Sequence, residues 1–148
     1  MDMTQKQVVN LNGHDWQITA AAPGTEREQA LLSPTWIPAT VPGNVQSDVE
    51  SAKLIKPIWY GPLDENMTNL ALNDWWYQKE FTISEDLCGK RITLLFYGVD
   101  YSCDIYLNGK KVGRNEGTFK RFRLDVTDII QKGINLLQVK IDAMPKEL

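Results

Sequence analysis

The alternation of apolar and polar positions is clearest in the second half of the chain. Tyr77, Phe81 and Ile83 share one face of an extended run, and Ile92, Leu94 and Phe96 share a face of the next. Cys103, Ile105 and Leu107 repeat the period of two, and Leu137, Val139 and Ile141 close the series. A period of two sends these side chains to one side of a β-strand. Strands are therefore predicted at 76–83, 91–97, 102–107 and 135–141, with another beginning around Phe119 and Phe122. Asn108-Gly109 predicts a tight hairpin with positive φ at both central residues. Ser84 to Lys90 reads as a polar turn containing Gly89, and Asp125 to Ile130 as a capped helical turn ended by Gly133.

The first half is less regular. Residues 7–22 alternate and predict a strand or two, with Asn12-Gly13 as a hairpin turn between Val8–Leu11 and Trp16–Thr19. Residues 23–74 hold Pro23, Pro34, Pro38, Pro42, Pro57 and Pro62, six of the seven prolines, and read as mostly irregular because Pro cannot donate to a central ladder. One short helix is predicted at 44–53, where Asn44 can cap and Val45, Val49 and Ala52 fall on one face. Several short alternating strands between turns indicate an all-β fold. The inward positions are too apolar for one open sheet, so two packed sheets are expected.

Length and charge narrow the function. A chain of 148 residues, 43% apolar and 24% charged, matches one ordinary domain with a real core. It is too short for an eight-stranded α/β barrel. A net charge of -3 argues against a nucleic-acid partner, since nothing would neutralise phosphates along a face. The longest apolar runs, such as Leu94–Tyr97, are far too short to cross a bilayer, and no membrane partner is expected. The first residues lack the pattern of a signal peptide, which suggests the cytoplasm unless a leader was trimmed. Cys88 and Cys103 are expected as free, buried or half-buried thiols. One His and two Cys make no metal-ligand cluster, so no metal and no cofactor are expected.

The stretch Tyr97–Gly113, followed by Gly117-Thr118-Phe119-Lys120-Arg121-Phe122, by Asp125-Val126-Thr127 and by Asn135-Leu136-Leu137-Gln138-Val139, resembles the N-terminal sugar-binding domain of glycoside hydrolase family 2. Trp36–Gly43, Ile58-Trp59-Tyr60-Gly61 and Asp74–Phe81 resemble its β-mannosidase-like branch. The resemblance covers about residues 10–142 and implies a jelly-roll sandwich of the galactose-binding type with one or two short helical turns. It also implies a retaining exo-glycosidase as parent, acting on a carbohydrate. The catalytic glutamates would lie in a barrel beyond this chain, and an immunoglobulin-like domain would be a further partner. Two departures stand out. Lys56 replaces the branch's acid before Pro57, which puts substrate preference in question. The chain also stops at Leu148, before the family's Gly-Trp-Asp-Trp-Gly segment, so residues 1–148 read as a single domain from a larger enzyme.

No catalytic residue is expected within the chain. Retaining hydrolysis needs two carboxyl groups about 5–5.5 Å apart, and Asn115-Glu116 at a hairpin end reads as a solvated turn. By resemblance, Trp59, Tyr60, Asp64 and Glu65 lie in a loop facing the barrel, as candidates for the substrate rim or the interdomain contact. Trp16 and Trp76 read as core. His14 reads as structural, Lys120-Arg121 and Arg123 as a solvated basic face, and the Asn66-Met67-Thr68 sequon as coincidental. Two other functions fit the residues: a stand-alone carbohydrate-binding module, and a structural or protein-interaction sandwich.

Overall fold

The computed structural model describes residues 8–33, 36–43, 45, 48, 72–99, 102–117 and 121–143. Strands β1 (Gly13–Ala21), β2 (Ile37–Val41), β3 (Asp74–Ile83), β5 (Ser102–Leu107), β6 (Lys110–Glu116) and β8 (Gly133–Ile141) form one antiparallel sheet in the order β2-β1-β3-β8-β5-β6. Strands β4 (Thr93–Phe96) and β7 (Phe122–Asp125) pair as a second sheet. One helical turn, α1 (Arg27–Ala30), and a 3-10 turn at Glu85–Leu87 complete the described elements. The expected all-β, two-sheet sandwich is the fold observed.

The core lies between the sheets, on the faces the period of two selects. Ile18, Cys103, Ile105 and Leu107 are fully buried, joined by Trp16, Trp75, Tyr77, Leu137 and Val139. Leu94 and the half-buried Phe96, Phe122 and Leu124 meet them from the small sheet, and the Phe96 and Phe122 rings stack 4.7 Å apart. Trp16 and Tyr77 touch edge to face across β1 and β3. Trp16 is also tied by its indole N–H, which donates to the Leu11 carbonyl at 2.7 Å. Both cysteines are free, Cys103 buried and Cys88 half-buried.

The β5–β6 hairpin forms where Asn108-Gly109 predicts it, with φ of 52° and 85° at the two residues. Asn108 does more than turn. Its side-chain amide donates to Asn135 Oδ1 at 2.8 Å, and its oxygen accepts the Leu136 N–H at 2.9 Å. Fully buried Asn135 in turn accepts the Gln131 N–H and donates to the Gln131 carbonyl. Two asparagines thereby lock the hairpin to the approach of β8 and satisfy backbone groups that burial would otherwise leave bare.

Four expectations differ from what is observed. Asn12-Gly13 makes no hairpin: β1 starts at Gly13 and pairs with β2 and β3, while Val8 and Val9 are exposed and Asn10 Oδ1 accepts the Asn12 N–H in a local turn. The segment 37–41, read as irregular, is strand β2. It tolerates Pro38 because it is the edge of the sheet, where one side of the ladder needs no donor. Residues 126–130 make one turn that does not continue into a helix: the Ile129 and Ile130 N–H groups both donate to the Val126 carbonyl, and Asp125 Oδ1 caps it by accepting the Thr127 N–H. The strand expected over 91–97 is shorter, Thr93–Phe96. Of the helix expected at 44–53, only Val45 and Asp48 are described, and both are helical. Asn44, Val49 and Ala52 lie outside the described residues, as does Phe119.

Candidate functional site

The large sheet turns its second face away from the core, and that face is polar. Gln17, Gln78 and Gln138 stand opposite one another on β1, β3 and β8. The Gln138 amide N–H donates to Gln78 Oε1 at 3.4 Å, and the Gln78 N–H donates to Gln17 Oε1 at 3.2 Å. Arg27 Nε, from α1, feeds the row by donating to Gln138 Oε1 at 2.9 Å. The same guanidinium lies 5.8 Å from the centroid of Tyr106, whose ring packs on buried Trp76. Segment 22–33 thus straps this face. Asp74 holds the strap and the chain leaving β8 together: Oδ2 accepts the Gly24 N–H and Oδ1 the Ala143 N–H.

Further along the face, Asp104 is buried and shared by three cations. Arg114 donates to it at 3.0 Å, Lys111 at 3.1 Å and Lys140 at 3.3 Å. Burial works against its charge, but the hydrogen bonds from Arg114, Lys111 and Lys140 outweigh that and hold the carboxyl below its ordinary range. Asp142 takes further bonds from Arg114 and from Ser102 Oγ. Hydrogen bonds to Asp104 and Asp142 raise Arg114, and Asp104 overcomes the burial penalty to raise Lys140. The cluster is paired within itself and presents no unbalanced charge to a ligand.

At the β1–β3 end the face opens into a hollow of about 450 Å³ lined by Asp15, Gln17, Gln78, Lys79, Glu80 and Leu136. Lys79, 8% exposed, donates to Asp15 at 2.5 Å, and this bond lowers the Asp15 carboxyl.

None of the sequence candidates for the rim can be placed. Trp59, Tyr60, Asp64 and Glu65 lie outside the described residues, as do Lys56, Asn66 and Lys120. Asn115 and Glu116 sit on β6, where Glu116 is exposed and takes a bond from Arg114. Glu116 is solvated as expected, but it ends a strand and pairs with Arg114 instead of lying in a turn. Trp16 and Trp76 are core, Trp36 is half-buried, and Trp75 belongs to β3 and is buried. His14 Nδ1 meets Thr40 Oγ1 at 3.0 Å on the surface. Arg121 stacks 4.9 Å from the centroid of exposed Tyr97, and Arg123 stands opposite Leu95 on the outer side of the small sheet. Burial raises Asp48, whose Oδ1 accepts the Thr40 N–H at 3.2 Å. Burial likewise pushes the Cys103 thiol up to about 11, which leaves it inert. Among the described residues no group of His, Cys, Asp and Glu could hold a metal ion. The arrangement can orient and hydrogen-bond a ligand. Among the described residues its lowered carboxyls, Asp15, Asp86, Asp104 and Asp125, are engaged by neighbouring side chains.

The family profile described as glycosyl hydrolase 2 galactose-binding domain-like matches residues 16–148. The chain belongs to that family. Bovine (Bos taurus) beta-mannosidase is 30% identical over 108 residues, which is 72% of this chain and 12% of that protein. A mannosylglycoprotein endo-beta-mannosidase from Lilium longiflorum is 31% identical over 133 residues, 84% of this chain and 14% of the relative. The crystal structure of a beta-D-mannosidase from Dictyoglomus thermophilum superposes with a TM-score of 0.78 at 28% identity, over 93% of this chain and 16% of that one. The chain is therefore the N-terminal, galactose-binding-like type of domain found in these glycosidases, of β-mannosidase-like kind, and it spans about an eighth of the length of the mammalian relatives it matches.

Proposed function

We propose that this domain serves a larger retaining β-mannosidase-like glycosidase as a positioning unit. The chemistry belongs to a catalytic barrel outside the 148 residues. This domain packs on that barrel, and the loop carrying Trp59, Tyr60, Asp64 and Glu65 forms part of the pocket rim. An immunoglobulin-like domain is a further neighbour. The observation that carries the reading is the match along residues 16–148 to a domain found in relatives roughly six times longer than this chain, among them bovine and rat proteins named beta-mannosidase. The fate of the carboxylates agrees with it. Asp15 and Asp104 on the described strands are tied into ion pairs and Asp125 into a turn, whereas a retaining mechanism needs a free nucleophile and a neighbouring acid. Holding a sugar in register can contribute several kcal/mol to a rate without any bond-making group.

An immunoblot of source cells with an antibody against this domain tests the reading. The expected band is several times larger than 16.9 kDa; a band at that mass overturns it. In the larger product, Trp59→Ala and Asp64→Asn are expected to raise KM for an aryl β-mannoside more than they lower kcat. Unchanged kinetics in both variants would remove the loop from the pocket.

A further inference from the structure

The chain holds two Asn-Gly pairs, Asn12-Gly13 and Asn108-Gly109, alike in sequence and opposite in surroundings. We propose that Asn12 is a site of spontaneous deamidation in the folded chain, converting to aspartate and iso-aspartate, and that the fold holds Asn108 as the amide. Neither the glycosidase reading nor its rim loop enters the argument, so either can fail while the other holds.

The chemistry is intramolecular. The backbone nitrogen of the following residue attacks the side-chain Cγ, and the new C–N bond closes a succinimide ring. The bond from Cγ to the side-chain nitrogen breaks. That nitrogen leaves as ammonia, with the proton given up by the backbone N–H. Water then opens the ring at either of its carbonyls. One opening gives aspartate. The other gives iso-aspartate, in which the main chain runs through the former side chain and gains a methylene. A Cβ on the attacking residue would crowd the approach, and glycine has none.

Asn108 is barred from this course while the fold stands. Its amide nitrogen donates to two separate acceptors, Asn135 Oδ1 at 2.8 Å and the Ile129 carbonyl at 3.2 Å. Its Oδ1 accepts the Leu136 N–H at 2.9 Å, and its own backbone N–H donates to the Leu136 carbonyl at 2.9 Å. Attack requires Cγ to swing toward the Gly109 nitrogen and the amide nitrogen to depart, which breaks the side-chain bonds together. The product is disfavoured as well. A carboxylate at this position would face Asn135 Oδ1 and the Ile129 carbonyl with no hydrogen to give.

Asn12 has no such lock. Its side chain is exposed and makes no hydrogen bond among the described residues. Gly13 is the first residue of β1, and residues 8–12 before it belong to no strand. Opening the end of a ladder disturbs little else. The fold also commits position 13 to glycine. Its φ is 149°, and a Cβ there would sit 3.1 Å from Asp15 Oδ1. The pair that makes no hairpin therefore keeps the residue that best permits attack.

The consequence reaches the core. Leu11 packs against the buried cluster, and its carbonyl accepts the Trp16 indole N–H at 2.7 Å. The methylene added by iso-aspartate falls between these two anchors and lengthens the path from Leu11 into β1. Deamidation should therefore loosen the hold on Trp16 and the β1–β2 edge of the sheet before any other part.

Peptide mass mapping of the 148-residue chain, incubated at mildly alkaline pH both native and in concentrated urea, tests this directly. The native chain is expected to convert Asn12 to aspartate and iso-aspartate. Asn108 should convert at least about a hundredfold more slowly, because several hydrogen bonds, each worth up to about tenfold, must open first. In urea the two sites should convert at comparable rates. Asn12→Gln, with a longer side chain that closes its ring far more slowly, should stay unconverted, and its Trp16 indole N–H resonance should stay in place while that of the ageing wild type moves. Asn12 remaining an amide in the native chain, over a time in which urea-unfolded chain converts it, overturns the proposal. So does Asn108 converting as fast as Asn12 in the native chain. A Trp16 signal that stays still while Asn12 converts overturns the link to the sheet edge.

Discussion

The two faces of the large sheet solve burial in opposite ways. Toward the small sheet, Cys103, Ile105, Leu107, Leu137 and Val139 exclude water with apolar surface. On the other side, Trp76, Asp104 and Gln138 are equally withdrawn from water, yet two of the three are polar and need named partners. The first face depends on volume and shape, and the second on the pairing of Asp104 and Gln138, while the buried Trp76 indole N–H has no hydrogen-bond partner among the described residues. Strands β3, β5 and β8 carry both faces, alternating residue by residue, so each of these strands serves as core and as polar scaffold at once.

The widest test of that contrast is a cavity on the apolar side. Leu107→Ala should cost about 3 kcal/mol, because a fully buried leucine leaves a hole that its neighbours fill only in part. Urea unfolding measures this as a lower midpoint at unchanged slope. A loss under about 1 kcal/mol would mean that the site collapses freely and is not tightly packed.

On the polar face, Asp104→Asn should cost about 2 kcal/mol at neutral pH, less than for a fully buried pair because Lys111 and Arg114 remain partly in water. The cost should depend on pH. The Asp104 carboxyl is held below its ordinary value, so its contribution is complete above the unfolded carboxylate pKa of about 4 and is lost as pH falls through the lower folded value. Unfolding curves of wild type and variant should converge on acidification. A difference that stays constant down to strongly acidic pH would contradict the pairing.

A smaller effect reports on the contact between sheets. A Cβ at Gly113 would sit 2.7 Å from Leu124 Cδ2, the mobile end of a side chain on β7. Gly113→Ala should therefore cost about 1 kcal/mol, and most of that cost should disappear in a Leu124→Ala background. Full additivity of the two changes would place β6 and β7 out of contact. At the bottom of the scale, Glu116→Gln should change stability by less than about 0.5 kcal/mol, since its bond to Arg114 is exposed.

The apolar face was legible in the sequence and the polar face was not. A period of two at Cys103, Ile105 and Leu107 marks burial without knowledge of any partner, because apolar surface needs only to leave water. Gln17, Gln78 and Gln138 carry no such mark. Their row exists because β1, β3 and β8 become neighbours in a register set by distant residues, and a glutamine on the far side of a strand looks like an ordinary solvated one. Asn108 was legible as a turn former, while its bond to Asn135 was not. Pro38 misled for a related reason: proline forbids a central strand but permits an edge, and position in the sheet is a tertiary fact. The rim residues Trp59, Tyr60, Asp64 and Glu65 were reached through resemblance alone and lie outside the described residues. The hollow could have been suspected from Asp15, Gln17, Gln78 and Glu80 alternating on two strands, had their adjacency been known.

The central claim is that this domain positions and does not cleave. Incubating the purified 148-residue chain with p-nitrophenyl β-mannoside tests that most directly. The account predicts no release of p-nitrophenol beyond the buffer blank at any chain concentration. Release that rises in proportion to the chain, and survives repeated purification, would contradict it and would require a carboxylate pair within these residues.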